Sequence, residues 1–138
     1  MKIVGLNNRE YNINLNKYAK NHKKTNKSSF HLEARRLLKE CFPSYFIYEE
    51  VSLPGSTNPK NKSVLYLDFF IPNLKIGVEI HGRQHFEYVP YFHKNKLGFA
   101  NHKYRDNLKL EWCDRNQIKL IILRYDEIDL WRAQIECC

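Results

Sequence analysis

Asp68 and Glu79 are the residues whose setting first suggests chemistry. They lie on two apolar runs, 64–71 and 75–81, separated by Pro72-Asn73-Leu74. A turn at residues 72–75 pairs Ile71 with Ile76, Phe69 with Val78 and Leu67 with Ile80, which makes one face of the hairpin apolar. The opposite face carries Tyr66, Asp68, Phe70, Gly77, Glu79 and His81, with Asp68 directly across from Glu79. Two carboxylates about 5 Å apart at Cβ repel each other unless a cation or a shared proton intervenes. Glu33 adds a third acid, because it follows Phe30 by three residues and precedes Leu37 by four and so points along an apolar helical stripe. A buried carboxylate needs a partner. If that helix covers the polar face of the hairpin, Glu33, Asp68 and Glu79 converge, and a hard divalent cation such as Mg²⁺ relieves their repulsion. The alternative is a salt-bridge network with Arg35, Arg36, Arg83 or Arg105.

The run Glu79-Ile80-His81-Gly82-Arg83-Gln84-His85 adds two imidazoles. Beside a phosphodiester, either can act as general base toward water or as general acid toward the leaving oxygen. The spacing of His81 and His85 also fits a zinc pair on a helix. Gly82, however, weakens a helix and occupies the place of the metalloprotease glutamate. Gly82 is better suited to breaking the strand beneath a ligand. His22, His31, His93 and His102 receive no role.

The elements that position these residues follow from periodicity. Ser28 or Ser29 caps a helix carrying Phe30, Ala34, Leu37, Leu38 and Cys41 on one face, stopped by Pro43. Strands are predicted over 45–53, 64–71, 75–81 and 118–123, with a polar loop at 54–62. A long helix over 96–115 buries Leu97, Ala100, Tyr104, Leu108 and Trp112, and a short helix closes the chain from Asp126. The order implies an α/β fold in which a mixed β-sheet of about four strands is flanked by helices. Residues 1–27 form a basic N-terminal hairpin and arm, and residues 28–138 the main domain.

The 138 residues suit one compact unit, and 43% hydrophobic and 14% aromatic content excludes a disordered chain. No apolar run approaches the roughly 20 residues of a membrane span, and the N-terminus lacks a signal-peptide pattern, which implies a cytoplasmic protein. The four cysteines show no zinc spacing and read as reduced thiols. The net charge is +8, and residues 1–27 hold seven Lys or Arg against the single acid Glu10. A polyanionic partner is implied. Lys17, Lys20, Lys23, Lys24 and Lys27, with Arg83, Gln84, Lys94 and Lys96, are the candidate phosphate contacts.

Taken together, Glu33, Leu67-Asp68-Phe69-Phe70-Ile71-Pro72, Val78-Glu79-Ile80-His81-Gly82-Arg83-Gln84-His85-Phe86 and Tyr104-Arg105-Asp106 resemble the PD-(D/E)XK nuclease superfamily. The likeness is to the branch joining very-short-patch-repair enzymes to EDxHD homing endonucleases and small phage nucleases. It covers about residues 28–125. The resemblance implies a restriction-endonuclease-like core and a Mg²⁺-dependent DNA endonuclease, with Mn²⁺ as substitute, encoded by a phage or mobile element. It matches Glu33 to the helix glutamate, Asp68 to the metal-binding aspartate, His85 to the catalytic histidine and Asp106 to the acid of the later helix. Glu79 becomes the second metal carboxylate and the Ile80 carbonyl a further ligand. His81 stands where lysine is usual, which leaves His81 and His85 as alternatives for activating water. The zinc site of the mismatch-repair enzymes has no counterpart. Double-stranded or branched DNA is the expected partner, and a homodimer is one route to a longer recognition site. The rival expectations are a DNA-binding module with an inactive nuclease fold, and a junction-resolving nuclease or RNase using the same site.

Overall fold

The computed structural model describes residues 1–18, 28–57, 62–83, 87, 89, 93 and 96–137. Its centre is a four-stranded mixed sheet in the order β3-β4-β5-β6, with β3 at Tyr48–Thr57, β4 at Val64–Ile71, β5 at Ile76–His81 and β6 at Lys119–Arg124. The first two pairings are antiparallel and β5–β6 is parallel, so the chain crosses over between them through the long helix. The helices are α1 (Ser29–Cys41), α2 (Lys96–Arg115) and α3 (Trp131–Glu136). The fold is α/β, as expected. Among the described residues no helix is long and apolar enough to cross a membrane.

Two cores sandwich the sheet. Ala34, Leu37 and Leu38 of α1 and Trp131 and Ile135 of α3 pack on Phe69, Ile71, Val78 and Leu123. Trp112 and Cys113 of α2 pack on Val51, Leu53, Leu67 and Phe70 from the other side. Burial of this apolar surface is what holds helices on both faces. Ser28 caps α1, its Oγ accepting the His31 N–H at 3.2 Å.

The second core also contains the N-terminal hairpin. β1 (Lys2–Val4) and β2 (Glu10–Asn12) pair antiparallel, and Ile3, Ile13 and Tyr18 are buried beside Val51 and Trp112. Asn116 pins it from the end of α2, accepting the Val4 N–H at 2.6 Å and donating to the Val4 carbonyl at 2.9 Å. Residues 1–18 therefore complete the core. The arm residues Lys20, Lys23, Lys24 and Lys27, with Gln84, His85 and Lys94, lie outside the described residues.

Three expectations are corrected. The strand predicted over 45–53 begins at Tyr48 and continues through Pro54 and Gly55 to Thr57. Pro is tolerated there because β3 is an edge strand, and its carbonyl accepts the Trp112 indole N–H at 2.9 Å. Leu67 does not share a face with Phe69. Glu50, opposite Asp68 in sequence register, has a φ of 52°, and across this irregularity the alternation resets. Glu49 and Phe69 face α1, whereas Val51 and Leu67 belong to the core under α2. Gly77 makes room for Leu67, since a Cβ there would lie 3.0 Å from Leu67 Cδ1. Finally, α2 buries only its C-terminal part. Leu97 is 61% and Tyr104 51% exposed, and the middle of the helix presents polar residues to the sheet.

Candidate active site

The β4–β5 ladder follows the expected register, pairing Ile71 with Ile76, Phe70 with Gly77 and Phe69 with Val78. At the next position the strands part. β5 continues against β6 as far as His81 opposite Arg124, while β4 continues against β3 through Leu67 and Tyr66. A strand N–H in mid-sheet needs a partner, and the two carboxylates supply it. Asp68 N–H donates to Glu79 Oε1 at 3.1 Å, and Ile80 N–H donates to Asp68 Oδ2 at 2.8 Å. Asp68 and Glu79 thus meet across a fork in the centre of the sheet.

Glu79 is only 2% exposed. Burial, reinforced by the negative charge of Asp68, pushes its carboxyl up to about 8, against the opposing pull of Lys109. Lys109 Nζ donates to Glu79 Oε2 at 3.2 Å. His81 Nε2 stands 4.0 Å from the same oxygen and its side chain is buried. Burial and the nearby Glu79 also push the Cys113 thiol up to about 12, which keeps it protonated and unreactive.

A cavity of about 480 Å³ opens on this fork beneath α2. Asp68, Glu79 and Ile80 line it from the strands, and His102, Arg105, Asp106 and Lys109 from the helix. These four recur at steps of three and four and therefore share one face of α2. Asp106, expected from the family resemblance, is brought to the same cavity as Asp68 and Glu79. Lys109 and His102 were missed. A charged residue on a long helix reads as solvated, and only its step of three from Asp106 signals the shared face.

Glu33 is not brought to the fork by its visible contacts. Its carboxylate is bound by Arg36 at 2.5 Å and its side chain is 36% exposed. The buried stripe of α1 is centred toward His31, Ala34 and Leu38, which rotates Glu33 to the flank. His31, assigned no role from sequence, is buried instead, stacking on Phe69 at 4.5 Å between ring centroids. Its Nε2 lies 2.6 Å from Glu49 Oε1, and Arg35 grips both Glu49 oxygens at 2.8 Å. Although burial pushes Glu49 up, the His31 and Arg35 hydrogen bonds outweigh it and hold the carboxyl down at about 2.

Of the other expected contacts, Lys17 lies over the Tyr18 ring, its Nζ 5.1 Å from the centroid. Arg83 pairs with Glu87 at 2.5 Å, and Lys96 is exposed at the start of α2.

The donor set suits a hard cation. It is all oxygen, with two carboxylates concentrated where burial and mutual repulsion already penalise negative charge. Among the described residues no group of three or more His, Cys, Asp or Glu side chains could hold a metal ion, so the expected cage of Glu33, Asp68 and Glu79 does not form. Two carboxylates completed by water and phosphate oxygens are nonetheless an ordinary arrangement for Mg²⁺.

The chain resembles several viral proteins. It is 44% identical over 75 residues to "Uncharacterized protein 307L" of Invertebrate iridescent virus 6, which covers 54% of this chain and 38% of that protein. It is 35% identical over 102 residues to "Uncharacterized protein 033L" of Invertebrate iridescent virus 3, covering 74% and 52%. A third relative, "Uncharacterized protein 094L" of Frog virus 3, is 36% identical over 84 residues, covering 60% and 54%. The chain spans about half the length, or less, of these relatives. No family model matches the chain, and no solved structure does.

Proposed function

We propose that this chain is a Mg²⁺-dependent DNA endonuclease with a restriction-endonuclease-like core, Mn²⁺ serving in place of Mg²⁺. The observation that carries the reading is the sheet fork, where Asp68 and Glu79 face each other in a polar cavity together with Asp106 and Lys109. A facing carboxylate pair at the centre of a sheet is costly to folding. The two strand N–H donors and Lys109 offset part of that cost, and a bound cation would offset the rest.

Asp68, Glu79 and the Ile80 carbonyl are the groups to hold the cation, which when bound polarises the scissile phosphate and acidifies an attacking water. The remaining work falls to the chain itself. Lys109 reaches from α2 the carboxylate beside which the resemblance expects a strand lysine, and the 3.2 Å contact with Glu79 Oε2 favours Lys109 over His81 for orienting the water. Arg105 and His102 border the same cavity, where they bind nonbridging phosphate oxygens. Asp106 lines the same cavity and is placed to hold water there. Lys17, Lys96 and the basic run before Ser28 neutralise neighbouring phosphates, making binding fall steeply with salt.

The test is relaxation and cutting of supercoiled plasmid by the full chain with Mg²⁺, Mn²⁺ or EDTA, beside Asp68→Ala. Metal-dependent conversion to nicked or linear product, lost in Asp68→Ala, supports the reading. Binding of DNA with an intact plasmid under every divalent metal would leave a DNA-binding module. Cutting of RNA or four-way junctions alone would shift the substrate to those classes.

A further inference from the structure

A second cavity, of about 500 Å³, lies on the other side of the fork and shares Asp68 and Ile80 with the first. Its character differs. Phe30 from the start of α1 and Tyr125 just beyond β6 provide rings, Ser28 and Gly82 line its walls, and Arg83 contributes a guanidinium. Phe30 is half-buried and braced against Trp131, with ring centroids 6.3 Å apart, so its position is fixed by the core. The Arg83–Glu87 pair is exposed on both sides, and such pairs contribute little and exchange readily for another anion.

We propose, resting on the nuclease reading, that this cavity takes an unstacked nucleobase next to the bond to be cut, so that DNA with an unpaired nucleotide is the preferred substrate. The size suits a base with its sugar, within the range of small-molecule pockets. Aromatic side chains recognise bases by their π-faces, which are available only once a base has left the duplex stack. Because Asp68 and Ile80 border both cavities, a nucleotide whose phosphate sits at the carboxylates can place its base on the α1 side while the rest of the strand follows the basic α2 side. Arg83 then meets the adjoining phosphate. An already unpaired nucleotide avoids the cost of unstacking, and this is the source of the preference.

The experiment compares single-turnover cutting of a fully paired duplex with the same duplex carrying one unpaired nucleotide, in Mg²⁺. The wild type is expected to prefer the second by about tenfold or more, the scale of one base–aromatic stack. Tyr125→Phe keeps the preference and Tyr125→Ile brings it close to one. Because Tyr125→Ile can fail to fold, 5-iododeoxyuridine at the unpaired position is also photo-crosslinked to wild-type protein in Ca²⁺, with adducts expected on Tyr125 or Phe30. Equal cutting of the two duplexes, or crosslinks elsewhere, overturns the base pocket while leaving the nuclease reading intact. Absence of cutting on any DNA overturns both.

Discussion

Glu79 should make this protein less stable as pH rises, and the effect follows from the charge balance at the fork. Its folded-state carboxyl titrates at about 8 against an ordinary value of 4.5, because burial and Asp68 outweigh Lys109. Lys109 is already a strong counterweight. At 3.2 Å and an effective dielectric near 20, its attraction for an ionised Glu79 is about 5 kcal/mol before desolvation. With a folded value raised above the unfolded one, the folded chain keeps a proton that the unfolded chain has released. The stabilisation is therefore fully present below about 4.5 and is lost as pH rises to about 8. The slope approaches 1.4 kcal/mol per pH unit, for a total on the order of a few kcal/mol. Glu79→Gln removes the titrating group. Its amide oxygen can accept from Asp68 N–H or from Lys109 but not both, a loss of about 1–2 kcal/mol that is nearly independent of pH. Urea unfolding in EDTA, followed at several pH values from about 5 to 8, should show stability declining steeply in the wild type and much less in Glu79→Gln. Parallel profiles would refute the reasoning that burial and Asp68 keep Glu79 protonated.

Other outcomes follow from the same structure. Affinity for Mn²⁺, measured calorimetrically in buffers of different ionisation enthalpy, should rise up to about tenfold per unit between roughly pH 6 and 8, with release of one proton as Glu79 ionises. Arg35→Met should destabilise the fold by about 3 kcal/mol by removing the cation that grips both oxygens of the buried Glu49 carboxylate, and His31→Ala by less, because Arg35 stays in place. With Glu49 held at about 2, the stability it contributes is present above its ordinary value and disappears as acid protonates it, which an acid titration of the wild type and Arg35→Met will compare. Gly55→Ala places a Cβ 2.5 Å from Gly5 Cα at a φ of +74°, so it should cost about 2–4 kcal/mol and loosen the hairpin, detectable by hydrogen exchange at Leu6.

The register of the central hairpin was legible because the Pro72–Leu74 turn leaves little freedom, and it placed Asp68 opposite Glu79. The element types of the main sheet were legible because these apolar runs are strand-length and bounded by turn residues, and β6 is rich in β-branched residues. What failed were inferences that assumed unbroken periodicity. Leu67 was assigned to the face of Phe69, but Glu50 has a left-handed φ that nothing in its residue type encodes. Glu33 was read as inward because Phe30 and Leu37 flank it. The true centre of the α1 stripe is shifted by His31, a polar residue that packs as an aromatic ring and pairs with Glu49. Pro54 and Gly55 look like a loop, and only their place on an edge strand closed by the N-terminal hairpin, with Gly55 at a φ of 74°, keeps them within β3. Lys109 was invisible because its contact with Glu79 depends on which face of α2 meets the fork, a tertiary fact.

On the nuclease reading, Asp68 and Glu79 are kept together for phosphodiester hydrolysis. The most direct test is single-turnover cutting of end-labelled DNA in Mn²⁺ by the wild type, Asp68→Ala and Glu79→Ala, with DNA affinity measured in the same buffer. Each variant should lose about 10³-fold or more in rate, the scale of removing one part of an electrostatic catalytic site, with affinity unchanged within a few-fold. Cutting by either variant at the wild-type rate, or a wild type that binds DNA and never cuts it, would contradict the claim.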